Sequence, residues 1–168
     1  QFAKFANDVS TIPGFSRGRY FKLTADLVMY EGVGSNMSSS MNGGKAYSPQ
    51  TPMVGNFTDE TTYTAAFEGI FDGDGHTISG LYSVDYAICV SLFRITYNAT
   101  IKNLGVIDSY FYGNARFAGI VGKMVDSKLI NCYVKNTRLE GYGSYAGCIV
   151  GQCVGSSQII NCYSNATL

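Results

Sequence analysis

Residues 128–134 read KLINCYV, and thirty positions later residues 158–164 read QIINCYS. The two phrases belong to a longer match. FAGIVGKMVDSKLINCYV (117–134) aligns with YAGCIVGQCVGSSQIINCYS (145–164), and the offset grows from 28 at Phe117 and Tyr145 to 29 at Gly122 and Gly151 and 30 at Asn131 and Asn161. This alignment makes Cys148 the first inserted residue and puts a second near Ser156 to Gln158, in a turn that absorbs change while strands keep register. IKNLGV from Ile101 matches LINCYV from Leu129 at an offset of 28, and Gly113 matches Gly141 in the same way. SLFR (91–94) stands where AGIVG and GCIVG stand later. TISGL is a fainter fourth copy, with Ile78 and Leu81 in the places of Ile101 and Leu104.

A period of 28 to 30 residues admits helical and β-solenoids alike, so the units are read for their own periodicity. Apolar residues come in bursts of two to four separated by Gly, Asn and Ser, as in Ile120-Val121-Gly122 and Leu129-Ile130-Asn131. No unit holds ten breaker-free residues at helical spacing. The units are therefore short strands bent at corners, about three per turn, stacked ~4.8 Å apart around a shared core. Asn103, Asn131 and Asn161 recur as a structural ladder, because an amide donates to one rung and accepts from the next. Leu104, Cys132 and Cys162 share a register, so the thiols are expected to be buried core fillers.

Composition agrees with an all-β chain. Of 168 residues only 14% are charged, twelve basic and twelve acidic, while Gly (20), Tyr (13) and Phe (10) are abundant. That mixture favours strands and tight turns. A zero net charge offers no field for nucleic acid or an anionic membrane. Five cysteines cannot all pair within one chain. One domain is expected over 1–168, with 1–19 as an N-terminal cap and 20–168 as solenoid rungs. Phe2, Phe5, Ala6 and Val9 have amphipathic-helix spacing, stopped by Pro13 and Gly14, and this helix is expected to cover the first rung. Glu31 to Thr51 reads as a long surface loop. Residues 159–168 match the start of a rung without its continuation, so the chain is expected to be a fragment of a longer one whose last rung is least stable.

Candidate chemistry is sparse. FDGDGHTISGL (71–81) places Asp72 and Asp74 beside His76, the single histidine. An EF-hand loop needs further oxygen ligands and a terminal Glu that are missing here, whereas Asp-Gly-Asp-Gly supplies turn positions that tolerate positive φ. No zinc, nucleophile-elbow or phosphate-loop pattern occurs, and no metal or cofactor is assigned. Paired carboxylates on one strand face would mark a β-helical glycan hydrolase or lyase. Asp72, Asp74, Asp85, Asp108 and Asp126 fall at dissimilar repeat positions, so they form no single ladder. Exposed aromatics would bind sugar faces, with Tyr110, Phe111, Tyr112, Tyr142 and Tyr145 as candidates.

The order of helix, FKLTADL, PMVG, FEGIFDGDGHTISGL, SLFR, IKNLGV, AGIVG and NCY resembles the GLUG-motif repeats of bacterial adhesin-like surface and secreted proteins. The resemblance covers nearly the whole chain. It implies a right-handed parallel β-helix acting as a non-catalytic structural or adhesive module, extracellular or at the cell surface. Its implied partners are adjacent repeats of a parent chain and a host or cell-surface protein or polysaccharide. No nucleic acid and no membrane contact are implied. A carbohydrate-binding module and a glycan hydrolase or lyase are the alternatives. Far-UV circular dichroism is expected to show a β-dominated spectrum with a small helical part from residues 2–9; a dominant helical double minimum would overturn the solenoid.

Overall fold

The computed structural model describes residues 1–34, 51–57, 61–63, 65–85 and 88–168. Most of the expected Glu31–Thr51 loop lies outside the described residues. The chain is a parallel β-solenoid of about three turns behind one short N-terminal helix. Its sheets, two of five strands and three of three strands, are parallel throughout. One turn runs through Thr100–Lys102, Gly105–Ile107, Tyr110–Gly113, Arg116–Ala118 and Val121–Val125. That is five strands per turn, where three were expected.

The reason is a corner that returns every five residues. Asn98, Asn103 and Asp108 have φ of 48°, 54° and 47°, and one turn later Asp126, Asn131 and Asn136 have 47°, 53° and 46°. A left-handed residue bends the chain sharply within one position, and Asn and Asp tolerate that conformation better than other side chains bearing a Cβ. Where these corners recur in neighbouring turns, glycine serves equally, as at Gly80 and Gly155. The residue after each corner points inward, and in three cases it is a buried hydroxyl that closes the bend. Ser109 Oγ donates to Ile107 O, Ser127 Oγ to Val125 O and Thr137 Oγ1 to Lys135 O, at 2.7 to 2.9 Å. Ser109 and Ser127 also accept from Leu81 N and Ala99 N of the preceding turn. These buried polar atoms are thus paired inside the core, which removes their desolvation cost.

Two register expectations are corrected by this five-residue unit. TISGL resembles TIKNL, yet Ile78 stacks on Val106, and Phe71 is the residue that stacks on Ile101. Consecutive corners look alike in letters, so the alignment slipped by one corner. Similarly Phe117 pairs with Ala146, and Arg116 with Tyr145, which sets the offset at 29 before Cys148 is reached. The inserted residue therefore lies between Gly141 and Tyr145, in the corner Tyr142-Gly143-Ser144. The second insertion, between Val154 and Gln158, is where the sequence placed it.

Inward side chains form continuous columns. Phe71, Ile101 and Leu129 stand one above another at 3%, 1% and 0% exposure. The helix, Phe2–Thr11, covers the first turn as expected and runs two residues beyond the amphipathic spacing. Ala6 and Val9 are buried, and the Phe5 ring lies 4.8 Å from Phe21 and 5.7 Å from Phe71. Past Ile12 the chain turns through Gly14 at φ 67°.

Asn131 has two roles, holding a left-handed corner and carrying two ladder hydrogen bonds, to Asn103 and from Asn161. Denaturant titration is expected to rank stability as wild type, Asn131→Gly, Asn131→Ala. Glycine loses only the two ladder bonds, at ~1 kcal/mol each, while alanine adds the left-handed penalty of ~1–2 kcal/mol. Equal losses for the two variants would remove the corner argument.

Candidate functional site

The Asn ladder is present and is anchored on a carboxylate. Asn161 Nδ2 donates to Asn131 Oδ1 at 2.7 Å, Asn131 Nδ2 to Asn103 Oδ1 at 3.2 Å, and Asn103 Nδ2 to Asp72 Oδ1 at 3.0 Å. A second ladder, unforeseen in the sequence, occupies the next corner. There Asn136 Nδ2 donates to Asp108 Oδ1, and Asn136 N donates to Asn165 Oδ1 at 3.1 Å. The NCYVKN spacing signals it, because Asn136 follows Asn131 by one five-residue unit.

Asp72 is the most enclosed carboxylate of the expected acidic set. Tyr20 Oη donates to its Oδ2 at 2.5 Å, Lys102 Nζ lies 3.1 Å from the same oxygen, and Asp74 N donates to Oδ1 at 2.9 Å. Burial by itself would raise its pKa, but the Tyr20, Asn103, Asp74 N–H and Lys102 donors outweigh burial and hold it well below the usual carboxylate range. A carboxylate so held remains ionised and accepts no proton near neutrality, which is the reverse of a general acid.

The other acids diverge from it. Asp74 occupies a left-handed corner and pairs with Lys22 at 2.8 Å. Asp85 pairs with Arg94 at 3.1 Å, and Asp126 Oδ1 accepts from Ser156 N at 2.8 Å. Asp108 and Asp126 are corner residues, chosen for backbone conformation. His76 faces Asp26, with Nδ1 3.3 Å from Oδ1, whereas Asp72 is held by Tyr20 and Asn103. Among the described residues no three of His, Cys, Asp and Glu gather as a metal cluster.

The five aromatic candidates do not form one exposed face. Tyr110 and Phe111 are fully buried, which corrects the expectation that they stand on the surface. Strand alternation turns Phe111 into the core, in register with Leu139. Tyr110 points outward but stacks on Tyr82 at 5.7 Å, beneath a cover that includes Val33 and Tyr30, and its hydroxyl donates to Glu140 Oε2 at 2.6 Å. Tyr112 is half-buried in the same cluster. Only Tyr142 and Tyr145 are exposed, at 87% and 42%, and the Arg116 guanidinium lies 4.9 Å from the Tyr145 ring centre.

Another aromatic pair is visible only in the structure. Tyr133 and Tyr163 stack with centres 5.3 Å apart and planes at 10°. The Tyr133 ring lies over Gly105, where an added Cβ would stand 2.5 Å from it. The NCY phrase contains the signal: if Cys faces inward, the following Tyr faces outward.

All five cysteines are free. Cys132 is buried as expected, whereas Cys162 is half-exposed, which corrects its place as a fully buried filler. It stands one turn beyond Cys132, whose backbone N–H it accepts from. The Cys132 backbone N–H donates to Cys162 Sγ at 3.4 Å, and the adjoining Cys132 thiol and this N–H hold the Cys162 thiol below its ordinary pKa, while the Cys132 thiol, beside Cys162 and buried, is raised. Burial pushes Cys89 up to about 12.

Comparisons of the chain with protein-family models, curated proteins and solved structures returned no match.

Alkylation at pH 7.5 is expected to modify Cys162 well before Cys132 and Cys89, because thiolate character and exposure coincide only there; equal rates for Cys162 and Cys132 would contradict the geometry. For Asp72 the folded pKa lies below its unfolded value, so its stabilisation is present above about pH 4 and is lost as the pH falls below that. The stability gap between wild type and Asp72→Asn is expected to be constant from pH 7 to 5 and to narrow toward pH 2. A gap that widens in acid would show the sign to be wrong.

Proposed function

We propose that this chain is a non-catalytic structural and adhesive module of a bacterial cell-surface or secreted protein, akin to GLUG-motif repeats. The observation that carries this reading is the use to which the acidic side chains are put. Asp74, Asp108 and Asp126 hold left-handed corners, and Asp72 is saturated by four donors. Two carboxylates with a proton to exchange across a substrate, which glycan hydrolysis needs, are not assembled among the described residues. What the turns do supply is stacked cores and side-chain ladders, a spacer that resists bending. The order of repeat phrases and the extracellular setting it implies agree with display away from a cell surface.

A second reading, carbohydrate binding, is favoured by one observation. Tyr142 and Tyr145 stand exposed on the corner that holds the inserted residue, so two rings project where the neighbouring turn has none. A polysaccharide or a glycosylated surface protein is the partner this reading takes. Glycan arrays with turnover assays on every hit separate the readings. The expected outcome is no bond cleavage. Retention that falls at least roughly tenfold in Tyr142→Ala, about 1.4 kcal/mol, assigns binding to those rings. Cleavage of a glycan that Asp72→Asn or Asp108→Asn abolishes would overturn the non-catalytic reading.

A further inference from the structure

We infer that a cleft between the helix and the first turns of the solenoid binds a neutral pyranose sugar, at a site separate from the Tyr142 and Tyr145 rings. Its volume is about 580 Å³, inside the ~300–1,000 Å³ range of small-molecule sites. One wall is the helix face carrying Asn7, Ser10 and Thr11, and the other is formed by residues from 51–56 with Val84, Asp85 and Arg94. Strand alternation along Phe93–Tyr97 turns Phe93 into the core and Arg94 out to the cleft.

Charge and hydrogen-bonding capacity identify the ligand class. Among the described residues Arg94 is the one cation lining the cleft and Asp85 the one carboxylate, and Arg94 Nη2 lies 3.1 Å from Asp85 Oδ2. The pair cancels in charge, so an anionic ligand gains little there, yet it sets a donor beside an acceptor. That arrangement suits vicinal hydroxyls, each of which donates and accepts. Arg94 Nε is also buried with no acceptor among the described residues, and a buried donor of this kind calls for a partner.

The walls complete the match. Asn7 and Asn56 are exposed, and their side-chain amides bond to no described residue, so each brings both donor and acceptor capacity to the cleft. Ser10 Oγ and Thr11 Oγ1 already donate to Ala6 O and Asn7 O at 2.7 and 2.8 Å, which leaves them as acceptors. Between these groups Ala6, Met53 and Val84 supply apolar surface for the C–H face of a sugar ring. An apolar ligand would bury the amides and the ion pair without partners, which is costly. A polyol with a ring face satisfies both kinds of surface.

Amide proton–nitrogen correlation spectra of the 168-residue chain, titrated with D-glucose, D-galactose, D-mannose and N-acetyl-D-glucosamine to about 20 mM each, test this. At least one sugar is expected to shift the amides of Asn7, Asn56 and Arg94 and to saturate with a Kd of about 1–10 mM. Combining Asn7→Ala with Asn56→Ala is expected to weaken binding at least roughly tenfold, while Tyr142→Ala leaves it unchanged. Should the double variant lose spectral dispersion, Asn7→Ala alone, on the exposed helix face, decides by a weakening of at least roughly threefold. No shift with any of these sugars, D-galacturonate binding more tightly than D-galactose, or a response that Tyr142→Ala abolishes and the Asn variants keep would overturn the inference.

Discussion

The turns of this protein depend on single-residue bends of the backbone at positive φ. Three such corners fall five residues apart in each of two successive turns, at Asn98, Asn103 and Asp108 and again at Asp126, Asn131 and Asn136. A left-handed residue costs roughly 1–2 kcal/mol for most side chains, so six of them would be prohibitive unless something returned that energy. Stacking does so. Asn103 and Asn131 bond to one another, as do Asp108 and Asn136, each following residue faces the core, and each three-residue strand between them finds two neighbours.

This arrangement also governs the chemistry that remains. Polar side chains with catalytic potential are concentrated where the backbone needs them. Asn and Asp at the corners accept and donate along the solenoid axis, and Ser109, Ser127 and Thr137 turn inward to satisfy carbonyls of their own bend. The carboxylate of Asp72 ends the Asn ladder and gathers Tyr20 and Lys102, tying the first strand to the turns beyond it.

The two ends differ in physical character. Aromatic residues are concentrated beneath the helix, where Phe67, Phe71 and Phe93 pack within 5.2 to 6.4 Å of one another. Toward the other end the columns narrow to aliphatic and thiol side chains, and charge disappears altogether.

The sequence by itself determined the period, the β class, the capping helix and the Asn103, Asn131 and Asn161 ladder. Each of these is a local pattern of apolar bursts, helical spacing or recurring letters at one offset. It also contained the five-residue corner spacing, which was obscured because successive corners look alike, so that TISGL was matched one corner away from its true partner Gly105-Val106-Ile107-Asp108-Ser109. Only the tertiary structure decided which aromatics are exposed. Tyr110 is hidden because residues distant in the chain, Tyr30 and Val33, help cover it. Cover is a relation between segments far apart in sequence, and no periodicity along one segment encodes it.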